Sequence, residues 1–322
     1  METIEKEVID GLLNVIIAQG DRGAVVPFSR VNDLISHMAD LKNGEFHTGW
    51  LDRMVNHITG DPGNYIPPDL SFKPRSLIPV IMPCPKFILE FCYCGELIRC
   101  VIPPSYTNDW YLKKDHALQY IGDYLAPYGY SAVKAVSLPQ KLLSVHCGLG
   151  MYGRNNICYN DRLGSYFQIV TYISDLPCDD ALWFPIRRMK ICNGCDACVT
   201  ACPTGAIDSS RHLINTDRCL TYICELPELP EWLDKDAHNN IFACSECQDC
   251  CPANAKNKNN IEIGVTFTEE ETMELLNHKG NETYSASLAA KIETMGITPE
   301  KINPCIMPRN LAFFLKKTHE AL

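Results

Sequence analysis

Two runs of closely spaced cysteines constrain this chain more than any other feature of its sequence. The first run reads Cys192-x-x-Cys195-x-x-Cys198-x-x-x-Cys202-Pro203. The second run reads Cys244-x-x-Cys247-x-x-x-Cys251-Pro252. Gaps of two residues let successive thiolates in a tight loop reach three corners of one cubane, and soft thiolates bind iron well. The pattern is typical of two [4Fe–4S] clusters, in which the fourth cysteine of each run ligates the other cluster.

The crossover pattern predicts the ligands of both clusters. One cluster takes Cys192, Cys195, Cys198 and Cys251. The second takes Cys202, Cys244 and Cys247, and Cys219 is the best candidate for its fourth ligand. Cys224 and Cys250 are rivals, and Cys250 ranks last because it adjoins Cys251. Zinc knuckles are the alternative, but zinc does not explain seven cysteines with a proline after each run.

Length and composition place the cluster segment inside a larger protein. The 322 residues are too many for a bare ferredoxin, so a second, larger domain is expected. Eighteen cysteines would form disulfides in a secreted chain. However, the first residues are charged and form no apolar signal core, and no apolar stretch is long enough to span a membrane. We therefore expect reduced thiols, a cytoplasmic location and no membrane partner.

The overall charge bears on the choice of partner. The formal net charge is −10, and cluster thiolates add further negative charge. A polyanion such as tRNA would be repelled unless a local basic patch exists. The basic pairs Lys113-Lys114 and Arg187-Arg188 are short and lie far apart in sequence. Nucleic acid is therefore not expected as a partner.

Periodicity predicts a mixture of helices and strands. Helices are expected over 4–19, 30–42, 109–125 and 308–320, and another begins at Thr268. Strands are expected at 76–83, where prolines interrupt the run, and at 165–173, which is rich in aromatic and β-branched residues. A polar linker is expected over 254–260.

A glycine-rich segment reads Gly148-x-Gly150-x-x-Gly153. It matches the dinucleotide fingerprint, but that fingerprint follows a strand, whereas residues 138–145 look helical. We interpret the segment as a loop whose glycines let backbone approach a large planar cofactor. An ordinary tight turn is the alternative.

The order of these motifs resembles the epoxyqueuosine reductase family. The resemblance runs from about residue 76 to the C-terminus. It includes Asn108-Asp109-Trp110-Tyr111, Cys147-Gly148-Leu149-Gly150-Met151-Tyr152-Gly153-Arg154-Asn155, both cysteine runs, Arg218-Cys219-Leu220-Thr221-Tyr222 and Pro308-Arg309-Asn310-Leu311-Ala312. These enzymes are cobalamin-dependent, carry two [4Fe–4S] clusters and finish a tRNA modification. Reductive dehalogenases are similar in layout.

The resemblance implies an α+β protein with a nitroreductase-like α/β corrinoid-binding domain and a two-[4Fe–4S] ferredoxin-like domain. The implied segments are 1–175 for the corrinoid, 176–262 for the clusters and 263–322 for C-terminal helices that pack on the core. The implied corrinoid-binding residues are Gly148, Leu149, Gly150, Tyr152, Gly153 and Asn155.

One position departs from the family. The family carries a proton-donating Asp before its Gly-Leu-Gly loop, and the equivalent position here is Lys134. A lysine differs from an Asp in acidity by roughly six pKa units. Lys134 and Tyr106 are the predicted catalytic residues, with His146 and Tyr152 as further candidate proton donors or corrinoid contacts. A change of substrate is therefore expected.

Together these features predict an oxidoreductase whose clusters reduce cobalamin, which then acts on a small organic substrate not identified by the sequence. A ferredoxin or flavodoxin is the expected electron donor. Three alternatives remain: an electron-transfer protein that reduces a separate corrinoid or redox partner, a reductase without a corrinoid, and a tRNA epoxyqueuosine reductase. A further group, Cys84, Cys92, Cys94 and Cys100, is interpreted mainly as small buried residues, with metal binding as the alternative.

Overall fold

The structure, a computed structural model, describes residues 3–44, 48–49, 51–53, 56, 65–103, 109–179, 181–280, 283–295 and 305–320. Its helices are α1 (Thr3–Ala18), α2 (Val31–Lys42), α3 (Asp109–Leu125), α4 (Gln140–His146), α5 (Ala197–Ala201), α6 (Leu220–Ile223), α7 (Glu246–Asp249), α8 (Glu269–Asn277), α9 (Ala286–Thr294) and α10 (Ile306–Glu320). Its strands are β1 (Arg22–Gly23), β2 (Val26–Pro27), β3 (Ser76–Pro83), β4 (Lys86–Tyr93), β5 (Glu96–Ile102), β6 (Ala132–Lys134), β7 (Met151–Tyr152), β8 (Cys158–Tyr159), β9 (Phe167–Ser174) and β10 (Ile261–Phe267).

The chain divides into two compact units, and neither is continuous in sequence. Unit 1 comprises Met1–Pro83 and Leu112–Cys195, and unit 2 comprises Cys84–Tyr111 and Asp196–Leu322. The predicted segments 1–175, 176–262 and 263–322 follow chain order. In the structure, residues 84–111 belong to unit 2 although they lie between the two parts of unit 1. The C-terminal helices and most of the cysteine segment share unit 2.

Unit 1 is built on an antiparallel sheet in the order β1-β3-β9-β6, with β2 also paired to β3. Strand β3 is almost entirely buried, and α4 packs on β3 and β9. Helix α1 packs on β1 through Leu12 and Ile16, which are fully buried. Ile17 is half exposed, so α1 buries a narrower face than its sequence predicts.

Prolines do not interrupt β3, contrary to the sequence-based expectation. Pro79 lies opposite Thr171 of β9 in a continuous eight-residue strand. On the other side of β3, Pro79 falls between the segments that pair with β1 and β2, where its carbonyl accepts from the Ala24 backbone N–H at 3.1 Å. A proline is tolerated here because neither short strand requires its missing donor.

Unit 2 contains a three-stranded sheet that the sequence analysis missed. Strand β4 lies between β10, to which it is parallel, and β5, to which it is antiparallel. Phe91 of β4 and Phe267 of β10 stack with ring centroids 4.9 Å apart, and both are fully buried. Leu275 of α8, Leu288 of α9 and Leu311 of α10 complete this core.

A tight turn joins β4 to β5. Cys94 and Gly95 both have positive φ, at 53° and 79°, as a two-residue turn between twisted strands requires. The Glu269 carboxylate accepts from both of their backbone N–H groups, at 2.7 and 3.2 Å. The first residue of α8 thereby fixes the turn.

The long predicted helices are present within two residues of their expected ends, and α8 begins as predicted. Thr268 caps α8, and the Glu271 side chain returns a hydrogen bond to the Thr268 backbone N–H. Among the helices of the described residues, none is both long and apolar enough to cross a bilayer.

Candidate functional site

Two side-chain tethers bring three predicted cluster ligands together in unit 2. Thr204, two residues after Cys202, donates to the Arg218 carbonyl at 2.5 Å, and Arg218 Nε donates to the Thr204 carbonyl at 3.0 Å. The Thr221 hydroxyl accepts from the Cys244 backbone N–H at 3.1 Å. Cys202, Cys219 and Cys244 are therefore held close although they are distant in sequence.

Polar hydrogens approach the sulfur atoms of these cysteines, as they do around cluster thiolates. The Ala206 backbone N–H lies 3.2 Å from Cys202 Sγ, and the Asn239 amide lies 3.4 Å from Cys244 Sγ. Burial raises the pKa of the Cys244 thiol to about 11, although the Asn239 hydrogen bond opposes this shift. The thiol therefore needs a cationic partner such as iron to ionise near neutral pH, and this donor set fits a cluster.

Cys224, the rival of Cys219, is part of a small apolar core. It is 1% exposed and packs with Leu220, Ile223 and Leu233, and its Sγ lies 3.7 Å from His238 Nδ1. Burial, followed by the nearby Cys244, raises the pKa of the Cys224 thiol to about 12. Cys219 lies close enough to Cys244 to raise the pKa of its thiol, and Cys244 lies close enough to Cys224 to do the same. Cys219 as the fourth ligand therefore stays a prediction.

The motif at the C-terminal end holds this cysteine segment through backbone carbonyls. Asn310 of α10 is fully buried, and its amide donates to the carbonyls of Cys224 and Ile241, both at 3.0 Å. Arg309 donates to the carbonyls of Cys224 and Leu226 at 3.0 and 2.7 Å. The motif is therefore structural support for the predicted cluster site.

The first cysteine run begins at the end of unit 1. Cys192 is buried, and its carbonyl accepts from Arg154 of the glycine-rich segment at 2.7 Å. The Cys195 backbone N–H donates to the same carbonyl at 3.3 Å. In unit 2, α5, which carries Cys198, packs against α7, which carries Cys247.

The glycine-rich segment enters a short hairpin, and its glycines are explained by packing within the protein. A Cβ at Gly148, where φ is +79°, would lie 2.7 Å from the Phe184 ring, and one at Gly150 would lie 2.4 Å from Cys158 Sγ. A Cβ at Gly153 would lie 2.7 Å from the Tyr159 ring. The interpretation that these glycines clear space for a cofactor is therefore not needed to explain them.

The six predicted corrinoid contacts consequently divide into two sets. Gly148 is exposed, and Leu149 and Tyr152 are half-buried, so these three can contact a bound molecule. Gly150, Gly153 and Asn155 are buried, and the Asn155 amide donates to the Tyr159 hydroxyl at 2.8 Å. The second set shapes the hairpin.

An imidazole lies beside this hairpin with a defined tautomer. His146 Nδ1 is 2.6 Å from the Phe184 carbonyl, which only accepts, so Nδ1 carries the proton. The His146 ring stacks on the Trp183 ring with centroids 4.6 Å apart, and the Arg30 guanidinium carbon lies 5.0 Å from the Trp183 ring centroid. Burial, followed by His146, lowers the pKa of His37, whose ring meets His146 edge-on.

Several basic residues lie around this hairpin. The backbone N–H groups of Tyr152 and Met189 exchange hydrogen bonds with the Arg187 and Tyr152 carbonyls, which places Arg188 and Lys190 beside the hairpin. Lys141 donates to the Asn156 carbonyl at 2.9 Å from the hairpin's other side. We call Lys141, Arg154, Arg187, Arg188 and Lys190 the hairpin cations. Lys141, Arg188 and Lys190 are exposed, whereas Arg154 and Arg187 are half-buried and their Nε atoms are buried.

Of the two predicted catalytic residues, the structure describes only Lys134. Lys134 ends β6, is half-exposed and pairs with the carboxylate of Asp115 on α3 at 2.6 Å. Asp115 therefore places a carboxyl group next to the position where the family carries its acid. Tyr106 lies outside the described residues.

The further cysteines have varied surroundings. Cys84 and Cys100 are buried as predicted, and burial raises the pKa of the Cys100 thiol to about 12. Cys92 is half-buried and Cys94 is exposed at the β4–β5 turn, so the prediction of burial is wrong for Cys94. In the described part of the chain, no three His, Cys, Asp or Glu side chains converge at the spacing of a single-ion site.

Comparisons with known proteins agree with this geometry. A family profile described as a 4Fe-4S double cluster binding domain matches residues 191–254. Epoxyqueuosine reductase from Leadbetterella byssophila is 36% identical over 126 residues, which cover 38% of this chain and 39% of that protein. The enzyme of the same name from Escherichia coli is 31% identical over 126 residues, covering 38% and 31%. The chain thus matches well under half the length of these relatives.

Solved structures share the fold over nearly the whole chain. The epoxyqueuosine reductase of Bacillus subtilis aligns with a TM-score of 0.65 at 16% identity, covering 97% of this chain and 82% of that one. An epoxyqueuosine reductase solved with an epoxyqueuosine-modified tRNA stem loop aligns with a TM-score of 0.64 at 18% identity, covering 98% and 81%. The predicted α+β fold and the resemblance are confirmed. The expectation that excluded nucleic acid is not supported, since a protein of this fold binds a tRNA stem loop.

Proposed function

We propose that this relative of the epoxyqueuosine reductases is an iron–sulfur oxidoreductase that reduces epoxyqueuosine in tRNA with a corrinoid cofactor. The observation that carries the proposal is the identity of 36% over 126 residues with a protein of that name. The donor set around Cys202, Cys219 and Cys244 supports the cluster part of it. This substrate replaces the unidentified small molecule as the first candidate.

In this proposal each part of the chain has a distinct task. Cysteines of the two runs, with Cys219, would hold two [4Fe–4S] clusters, which would supply one-electron transfer from a donor such as a ferredoxin or flavodoxin. Gly148, Leu149 and Tyr152 hold the corrinoid, which supplies low-valent cobalt chemistry when bound. Converting an epoxide to an alkene and water consumes two electrons and two protons, so the chain must also deliver protons.

Two groups of unit 1 can take part in proton delivery, one as a hydrogen-bond donor and one as a proton donor. Burial raises the pKa of the Tyr152 phenol and so makes it a weaker acid; Tyr152 can donate a hydrogen bond to a substrate oxygen, but it is not the proton source. The Lys134–Asp115 pair stands where the family carries its acid. The ammonium of Lys134 would donate a proton, and Asp115 would hold the lysine in place.

The hairpin cations support an RNA substrate. Lys141, Arg188 and Lys190 are exposed, and such side chains neutralise phosphates and position a nucleic acid without reading its sequence. A patch of this kind overcomes the average repulsion of a net charge of −10 at short range, because salt screens charges beyond about 10 Å.

The direct test is anaerobic turnover of a tRNA stem loop that carries epoxyqueuosine. Reduced protein loaded with hydroxocobalamin should remove one oxygen atom from the nucleoside, as followed by mass spectrometry. Charge reversal of Arg188 and Lys190 to Glu should weaken stem-loop binding and reduce its salt dependence. Lys6→Glu, a charge reversal at an exposed position of α1, is the control. Full iron and bound cobalamin without turnover would exclude this substrate.

A second candidate is the reduction of a small epoxide or organic halide. The observation that favours it is Lys134 in place of the family's Asp. A protein that binds cobalamin, leaves the stem loop unchanged and reduces such a compound would establish this alternative. A protein that reduces only a separate corrinoid protein would instead be an electron-transfer module.

A further inference from the structure

A buried lysine of unit 2 contacts the second cysteine run. Lys86, the first residue of β4, is 5% exposed, and its Nζ donates to Asp249 Oδ1 at 2.8 Å. Asp249 is the last residue of α7 and lies between Cys247 and Cys251 in sequence. Its other oxygen accepts from the Ser245 hydroxyl at 2.5 Å. The carboxylate is therefore fixed from both sides within the segment Cys244–Cys251.

Main-chain contacts fix the lysine as firmly as its side chain does. The Lys86 backbone N–H donates to the Asn260 carbonyl at 3.2 Å, and Lys86 pairs with Ile261 at the start of β10. Strand β4 thus meets the chain directly after the cysteine segment, and its lysine reaches back into that segment. The cation cannot move far from the second run without disturbing β10.

Stability alone does not explain this arrangement. Lysines are almost never buried unless they are paired, and taking the Lys86 ammonium out of water costs several kcal/mol, whereas the Asp249 side chain stays 35% exposed. Apolar residues of similar volume often replace a buried ion pair without loss of stability. A fixed buried charge does have a strong effect on a neighbouring redox centre, because the low dielectric of the interior weakens screening.

We propose that Lys86 is a positioning residue that holds the segment Cys244–Cys251 through Asp249 and sets the reduction potential of the clusters ligated there. The inference rests only on the cluster-binding part of the proposed function. Reduction adds one negative charge to a cluster. The Lys86 ammonium stabilises the added charge, and the Asp249 carboxylate opposes it. Lys86 therefore raises the reduction potential and Asp249 lowers it.

The test is a redox titration of the anaerobically purified, cluster-loaded protein, followed by electron paramagnetic resonance. Lys86→Met should lower the midpoint potential, and Asp249→Asn should raise it. Each change should alter the ratio of reduced to oxidised cluster on the order of tenfold, or about 59 mV for one electron. The double variant should return close to the wild-type potential, because it removes both charges together.

Controls separate tuning from structural damage and from failure of cluster binding. Lys86→Arg keeps the cation and should keep the potential. Lys291→Met breaks a comparable ion pair with Glu271 on α8 and should leave the potential unchanged. If Lys86→Met fails to retain iron, the midpoint potential of Asp249→Asn alone tests the inference. Unchanged potentials in fully loaded single variants would overturn the inference, whereas a wild-type protein without clusters would overturn the proposed function.

Discussion

At the scale of single residues, polar side chains around the cysteines hold the cysteine segments in place through hydrogen bonds. Thr204, Arg218 and Thr221 tie together segments that carry predicted ligands, and Asn310 binds two carbonyls of the same region. The cysteines were predictable because ligand spacing is local. Their supports were not, because each support is a polar contact between residues far apart in sequence.

Asn310→Ala should lower the free energy of unfolding by about 1–3 kcal/mol, because it leaves the buried Ile241 carbonyl without this donor. Denaturant unfolding followed by cluster absorbance measures the effect. Asn277→Ala is the matched control, since the exposed Asn277 amide bonds only within its own helix, to the Met273 carbonyl. Equal stability of the two variants would show that Asn310 does not anchor the segment.

Lys134→Ala should reduce turnover of the reducible substrate on the order of 100-fold if Lys134 delivers a proton. Cobalamin affinity and iron content should stay at wild-type values, because Lys134 is half-exposed at the end of β6. Asp115→Asn should produce a smaller loss, since it removes only the partner. Full turnover of Lys134→Ala would remove this residue from the mechanism.

At the scale of elements, the Glu271 carboxylate of α8 both supports its own helix cap and bonds to α9. Burial opposes ionisation of Glu271, but hydrogen bonds from Lys291, Ser287 and the Thr268 backbone outweigh it and lower the pKa of Glu271 to about 2. Its distance to Lys291 Nζ is 2.5 Å. The helix cap and the contact between the two helices therefore share one charged group.

This depressed pKa predicts a pH dependence. Stabilisation by Glu271 is fully present above its ordinary pKa of 4.5 and is lost as the pH falls toward about 2. The stability difference between wild type and Glu271→Gln should shrink across that window in urea unfolding followed by tryptophan fluorescence. Glu270→Gln, at an exposed site on the same helix, should show no such window. A constant difference down to the lower limit would contradict the assignment.

Local sequence patterns predicted some of these helices and strands and missed others. Helices α1, α3 and α10 were predictable because their apolar residues recur at helical spacing. The sheet of β10, β4 and β5 was missed, because β10 pairs with β4 across more than half of the chain. The turn at Cys94-Gly95 carries only one glycine as a local signal. The glycine-rich segment was expected to be a loop, whereas its residues Met151–Tyr152 form strand β7, and its packing against Phe184 and Tyr159 needed the structure.

At the scale of the whole molecule, the chain combines a cluster segment with a fold that epoxyqueuosine reductases share over nearly its full length. The average charge argued against an RNA partner, yet folding brings the hairpin cations near one hairpin, where Lys141, Arg188 and Lys190 are exposed. Global composition could not reveal this arrangement, because these residues come from 141 to 190 and approach one another only through the hairpin.

Replacement of single cysteines should divide the iron content by cluster. Cys219→Ser should lose about half of the iron, because it removes a ligand of the second cluster. Cys224→Ser should retain nearly all of it, since the Cys224 thiol faces His238 in an apolar core. The reverse result would make Cys224 the fourth ligand.

The iron and acid-labile sulfide content of protein purified without oxygen decides whether the two cysteine runs hold clusters. We expect about eight irons and about eight sulfides per polypeptide, with the paramagnetic signal of two reduced [4Fe–4S] clusters. Zinc in place of iron, or about four irons or fewer in intact protein, would contradict this expectation.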